Sequence, residues 1–160
     1  FSKLPLDLAI KQVNGDGSRK IAVFTDPDCP YCKMFEKQVV PNLKDVTVYS
    51  FIFPLPIHPN AANDAKKIWC SKDRATTWAN WMQKDTPLPT DMSCDTSALD
   101  KVMAIGKDVV GVEGTPTIIF EDGELMPGML PADQLNAKLD QLSGKAPAVS
   151  ASAPVASAAN

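Results

Sequence analysis

The sequence predicts an α/β fold, on three observations. An apolar run, Ile21-Ala22-Val23-Phe24, leads through a polar turn into a Cys-x-x-Cys pair, Cys29 and Cys32, and then into a segment that reads as helix. A second run, Val46 to Phe53, is rich in the β-branched and aromatic residues that favour strands. A proline, Pro116, stands directly before a third apolar run, Thr117 to Phe120.

Composition narrows the class. At 160 residues the chain is about one domain. Its net charge is −3 with no basic run, so nucleic acid and anionic membranes are not expected partners. No apolar stretch approaches the ~20 residues of a membrane span. The chain begins at Phe1 without an initiator methionine or a signal peptide, so a processed chain or a piece of something longer is expected.

In order along the chain, Leu6, Ile10 and Val13 recur at helical spacing before Asn14-Gly15, which predicts a short amphipathic linker helix within residues 1–17. Arg19 to Thr25 is the first strand. The active-site helix is expected from Cys29 to about Val40, with Pro30 tolerated in its first turn and Pro41 ending it. Val46 to Phe53 is the second strand. A helical insertion then fills about 54–113, opening on a rigid loop at Pro54, Pro56 and Pro59. Within it, Asn60 is a candidate N-cap for a helix to about Cys70, and Asp73 for one to about Lys84. Asp95 or Thr96 starts a third, to about Val110, with Leu99, Val102, Met103, Gly106 and Val110 on one face. Trp69, Trp78 and Trp81 read as core. After Thr117 to Phe120, Glu121-Asp122-Gly123-Glu124 predicts a hairpin turn into Leu125 and Met126. Pro131 opens a last helix with Leu135, Leu139 and Leu142 inward and Gly144 as its stop. The division is thus a linker helix over 1–17, a main domain over 18–143 and an Ala/Ser/Pro tail over 144–160, expected to be disordered for want of large apolar residues.

Four cysteines fit two pairs, Cys29 with Cys32 and Cys70 with Cys94. The alternative is a four-cysteine zinc site, although such sites draw on two close-spaced pairs and only one exists here. A bridge from Cys70 to Cys94 would close a loop of about 25 residues and contribute roughly 3 kcal/mol in the chain-entropy model. A widely spaced disulfide also points to an oxidising compartment. Cys29 falls at a helix start, where unpaired N–H groups and the macrodipole favour an anion, so its thiol is expected to be acidic and reachable. Cys32, one turn further in, should be less exposed. Asp26 and Asp28 flank the site; their charge opposes the thiolate, unless Asp28 simply caps the helix. The single histidine, His58, reads as a surface or loop-packing residue. A cis Thr115–Pro116 bond would account for a proline before a central strand, and would leave the Thr115 backbone free to pair with an extended substrate.

The pieces Phe24 to Cys32, Ile68-Trp69-Cys70, Ser93-Cys94-Asp95, Gly114-Thr115-Pro116-Thr117 and Pro127-Gly128 occur in that order. Together they resemble the catalytic domain of periplasmic disulfide isomerases of the DsbC/DsbG type, over about residues 1 to 143. The resemblance implies a thioredoxin-like fold with a helical insertion between the second strand and the cis-proline strand. It implies Cys29 as nucleophile, Cys32 as resolving cysteine, Tyr31, Gly114, Thr115 and Pro116 around the substrate, and Cys70–Cys94 as a structural disulfide. It implies no metal and no cofactor beyond a redox-active Cys29–Cys32 disulfide. Its partners would be unfolded or misoxidised proteins and a membrane thiol reductase of the DsbD type, in the periplasm. The family's small dimerisation domain lies upstream of the linker helix, so this chain alone is expected to be monomeric and a longer parent a homodimer. Two departures matter: thioredoxin's buried carboxylate is replaced by Val23, and the inter-cysteine pair Pro30-Tyr31 is one that glutaredoxins also use.

The expected activity is isomerisation or reduction of wrong disulfides, with the residues between Pro54 and Pro59 and those around Gly114 to Pro116 bordering an apolar groove. The alternatives are a DsbG-like or glutaredoxin-like reductase of oxidised cysteines, and a holdase without redox turnover.

Overall fold

The computed structural model describes residues 1–144. The expected disordered tail, apart from Gly144, lies outside them. Five strands form one sheet in the order β1-β3-β2-β4-β5: β1 Ile10–Asn14, β2 Arg19–Thr25, β3 Val46–Ile52, β4 Thr117–Phe120 and β5 Leu125–Pro127. Only β2 and β3 run parallel; the other three pairings are antiparallel. Parallel neighbours need a crossover, and the segment after β2 supplies it. That segment is helix α1, Pro30–Met34, which continues as a wide π turn over Phe35–Val39 and a 3-10 turn over Val40–Asn42. Pro41, expected to end the run, falls inside that closing 3-10 turn, and the run ends one residue later at Asn42.

The central strand is buried on both faces, and its alternation sorts two cores. Ile21 and Val23 pack with Phe35, Val39, Leu43 and helix α5, Ala132–Leu142, through Leu135 and Leu139. Ala22 and Phe24 face Phe51, Phe53 and Val102 on the other side. The insertion between β3 and β4 comprises α2 Ala61–Trp69, α3 Arg74–Lys84 and α4 Ser97–Ala104, the last running on as a π turn over Ile105–Val110. Its Ala65, Ile68, Trp69, Trp78 and Met82 form a third core together with Cys29 and Cys32. Trp69 and Trp78 are core residues, while Trp81 is half-buried with its indole N–H donated to the Pro27 carbonyl at 2.8 Å.

Several elements differ from expectation. The linker helix is instead a 3-10 turn at Leu6–Leu8 followed by β1, which pairs antiparallel with β3 from Ile10↔Ser50 to Asn14↔Val46. Burial there alternates with period two, so Ile10 is inside and Val13 is 54% exposed. Pairing with a distant strand overrides a local helical spacing of three residues. Asp73 caps α3 through the Thr76 N–H, but Asn60 makes no side-chain cap bond at α2. Leu142, expected inward, is 37% exposed at the last position of α5.

Cys70 and Cys94 form a disulfide between the end of α2 and the loop before α4. That bond removes two of the four sulfurs from any zinc site and overturns the zinc alternative. Gly106 shows why the π turn after α4 can lie so close to the sheet. A Cβ there would sit 2.4 Å from the Phe53 ring, so only hydrogen fits.

Candidate active site

The site is assembled where β2 ends and α1 begins. Cys29 is still extended, at φ −80° and ψ 124°, and Pro30 occupies the first helical position, where its missing N–H costs nothing. Cys29 donates its N–H to the Asp26 carbonyl at 3.3 Å and accepts the Lys33 N–H at 3.0 Å, which fixes the turn. Cys32 therefore lies beneath Cys29, fully buried, and its Sγ accepts the Asp26 N–H at 3.4 Å.

Across from the cysteines stands the turn before β4. Its Thr115–Pro116 peptide is cis. The Cys29 Sγ lies 3.7 Å from the Thr115 carbonyl oxygen. The turn is braced by the Thr117 hydroxyl, which donates to the Gly114 carbonyl at 2.7 Å, and by the Gly128 N–H, which donates to the Pro116 carbonyl at 2.8 Å. The β4 ladder begins only at Thr117, so Thr115 sits just outside it. Tyr31, at 65% exposed, stands in the solvent beside the sulfurs.

The two thiols are driven apart electrostatically. The hydrogen bond from Cys32 is the main cause that lowers Cys29 from an ordinary 9.0 to about 5, with burial opposing it. Cys32 is pushed far above the ordinary range, first by burial and then by that same bond to Cys29. One sulfur is thus a thiolate at neutral pH and the other keeps its proton. The openness expected of a helix tip is not met: Cys29 is buried, at 5% exposed, because it packs into the core of the insertion with Ile68, Trp69 and Trp78. Both cysteines are free thiols in this structure.

Two acids flank the pair differently. Asp26 is fully buried: its carboxylate accepts the Asp28 N–H at 2.7 Å, the Leu55 N–H at 2.6 Å and the His58 Nδ1 at 2.7 Å. Asp28 does not cap α1, which has no side-chain cap. Burial, then a hydrogen bond with Asp64, raises its carboxyl from 3.8 to about 7. The roles of His58 and Asp64 were not visible in the sequence. The available signal was topological: parallel β2 and β3 bring the loops after them together, so the segments at 26–28 and 54–59 had to meet.

The prolines after β3 do line a groove of about 310 Å³, with Pro54, Leu55, Pro56 and Pro59 against Ala62, Leu99 and Met103. Gly114 to Pro116 do not border it, contrary to expectation, because they face Cys29 from the β4 side. A second cavity of about 470 Å³ opens beside Pro30, Asp28, His58, Asp64 and Trp81. Among the described residues no group of three or more His, Cys, Asp or Glu side chains could hold a metal ion. No helix among them is long and apolar enough to cross a membrane.

Residues 6–143 match the family model described as a thioredoxin-like domain. The chain superposes on the crystal structure of a disulfide interchange protein from Neisseria gonorrhoeae with a TM-score of 0.79 and 41% identity, covering 86% of this chain and 97% of that one. It is 42% identical over 139 residues to a Bordetella pertussis protein named "Probable thiol:disulfide interchange protein DsbC", covering 87% of this chain and 48% of that protein. To the thiol:disulfide interchange protein DsbC of Escherichia coli it is 34% identical over 117 residues, or 72% of this chain and 48% of that one. The chain thus spans about half the length of the curated relatives it matches.

Proposed function

This chain belongs to the thioredoxin-like domain family and its disulfide interchange branch, and from that premise we propose that it is a thiol–disulfide oxidoreductase that isomerises or reduces wrong disulfides in periplasmic proteins. The single observation that carries the reading is geometric: Cys29 stands at the start of α1 with the buried Cys32 one turn on, and its Sγ lies 3.7 Å from the carbonyl oxygen of Thr115 in the turn before β4.

The Cys29 thiolate attacks one sulfur of a substrate disulfide. A mixed disulfide forms and the other substrate sulfur leaves as a thiolate. The Thr115 backbone, outside the β4 ladder, pairs with the extended substrate while Gly114, Pro116 and Tyr31 border it. Two exits follow. A second substrate thiolate attacks the substrate sulfur of the mixed disulfide, releases Cys29 as thiolate and completes isomerisation without net redox change. Alternatively Cys32 loses its proton and attacks the Cys29 sulfur. The substrate then leaves as a dithiol, and a Cys29–Cys32 disulfide holds the two-electron oxidation. The cysteines are the only redox group this chemistry needs. Returning to the dithiol form calls for a reductant, the role of a membrane thiol reductase of the DsbD type. The Cys70–Cys94 bond staples the insertion and takes no part.

Refolding of scrambled ribonuclease tests the proposal. Wild type should restore ribonuclease activity, Cys29→Ser should restore none, and Cys32→Ser should retain isomerisation while accumulating mixed disulfides. Recovery by Cys29→Ser equal to wild type would contradict it.

A further inference from the structure

We propose that His58 is a positioning residue for thiol–disulfide exchange: seated on the buried Asp26 carboxylate behind the active-site turn, its imidazolium supplies the positive charge that favours the Cys29 thiolate. The inference rests on the exchange reading of the site.

Asp26 links His58 to the active-site turn: its carbonyl accepts the Cys29 N–H at 3.3 Å. Its N–H donates to the Cys32 Sγ at 3.4 Å, while its carboxylate accepts His58 Nδ1 at 2.7 Å. The same carboxylate is fully buried and also accepts two backbone N–H groups, from Asp28 and Leu55. Backbone donors orient a carboxylate but leave its charge in place. Among the contacts of this carboxylate, His58 is the one side chain that can carry a positive charge.

The charges around His58 are mainly negative. Asp26 bonds it from the active-site turn, and Asp28 from the same turn, Asp64 from α2 and Asp100 from α4 line cavities with it. Against them stand Lys33 from α1 and Lys66 from α2. Lys33 is already engaged with Asp85 at 3.3 Å and lies 4.0 Å over the Trp81 ring. Without a charge on His58, the thiolate would form beside a buried anion and a carboxyl pair. That setting opposes it.

The contact with Asp26 holds the His58 imidazolium above the usual histidine range, with the Cys29 thiolate adding to the effect. Coupling of this kind is reciprocal: whatever the thiolate does for the imidazolium, the imidazolium does for the thiolate. Because the folded value is raised, the charge is fully present at acidic pH and fades as pH climbs through His58's own titration. The help to Cys29 follows the same window.

The chain holds one histidine, so an untagged sample gives one imidazole signal. Its titration, followed by proton NMR in the dithiol and disulfide forms, reads the coupling directly. The expected midpoint is about half to one pH unit lower in the disulfide form, where no thiolate exists. Identical midpoints in the two forms would overturn the assignment. His58→Gln keeps a side-chain N–H for Asp26 without the charge. It should raise the midpoint of thiolate ultraviolet absorbance by a similar amount and move the equilibrium with glutathione roughly three- to tenfold toward the disulfide. An unchanged thiolate midpoint in His58→Gln, with circular dichroism intact, would also overturn it. A wild-type dithiol form without any thiolate absorbance until near the ordinary 9.0 would instead defeat the exchange reading itself.

Discussion

The Sγ of Cys29 lies 3.7 Å from the carbonyl oxygen of Thr115, although 86 residues separate them in sequence. That closeness joins the turn after β2 to the turn before β4. It brings the Cys29 sulfur beside a strip of backbone that the β4 ladder leaves unpaired with its neighbouring strands.

The depressed Cys29 value has a consequence for stability. The thiolate stabilises the folded dithiol form at pH values above the unfolded thiol's range, and this contribution is lost as pH falls through about 5. The disulfide form has no such group. Thermal unfolding of both forms should therefore show the dithiol form gaining on the disulfide form as pH rises from about 5 toward 9.0. Parallel melting curves across that window would contradict the shift.

Asp28 behaves in the opposite sense. Its folded value of about 7 lies above the usual 3.8, so the fold prefers the protonated acid. Stability from this group falls as pH rises between those two values and levels off above them. Asp64→Asn removes the neighbouring charge, lowers the Asp28 value and flattens that slope. Chemical denaturation at acidic and neutral pH measures it, and an unaltered slope would count against the carboxyl pair.

Gly106→Ala should destabilise the fold by about 1–3 kcal/mol, because the added methyl meets the Phe53 ring at 2.4 Å. Alanine's better helix propensity returns only about 1 kcal/mol. A urea midpoint at or above wild type would show that the ring yields freely.

Breaking the Cys70–Cys94 bridge, with both residues changed to alanine, should cost roughly 3 kcal/mol through the freed loop. Exchange at Cys29 should persist below the lowered melting point. Loss of exchange in a still-folded variant would give the bridge a role beyond stapling.

The strongly apolar runs of β2, β3 and β4 were legible because burial on both faces leaves little else for such residues to do. The meeting of Cys29 with the Thr115–Pro116 turn was legible through the resemblance. β1 was not. Leu6, Ile10 and Val13 satisfy a helix locally, and only pairing with β3 from Ile10↔Ser50 onward decides against it. The Asp26–His58 and Asp28–Asp64 contacts were illegible for a related reason. Each joins the turn after β2 to the segment after β3, which the parallel β2–β3 pairing brings together, and nothing near Asp28 in sequence separates a helix cap from a buried acid.

The most direct measurement is the pH dependence of alkylation of the reduced protein, with mass spectrometry locating the label. Cys29 alone should be modified, at half its maximal rate near pH 5, while Cys32 stays unlabelled until the protein unfolds. Equal labelling of both cysteines, or a midpoint near the ordinary 9.0, would contradict the assignment of one acidic nucleophile above one buried resolving thiol.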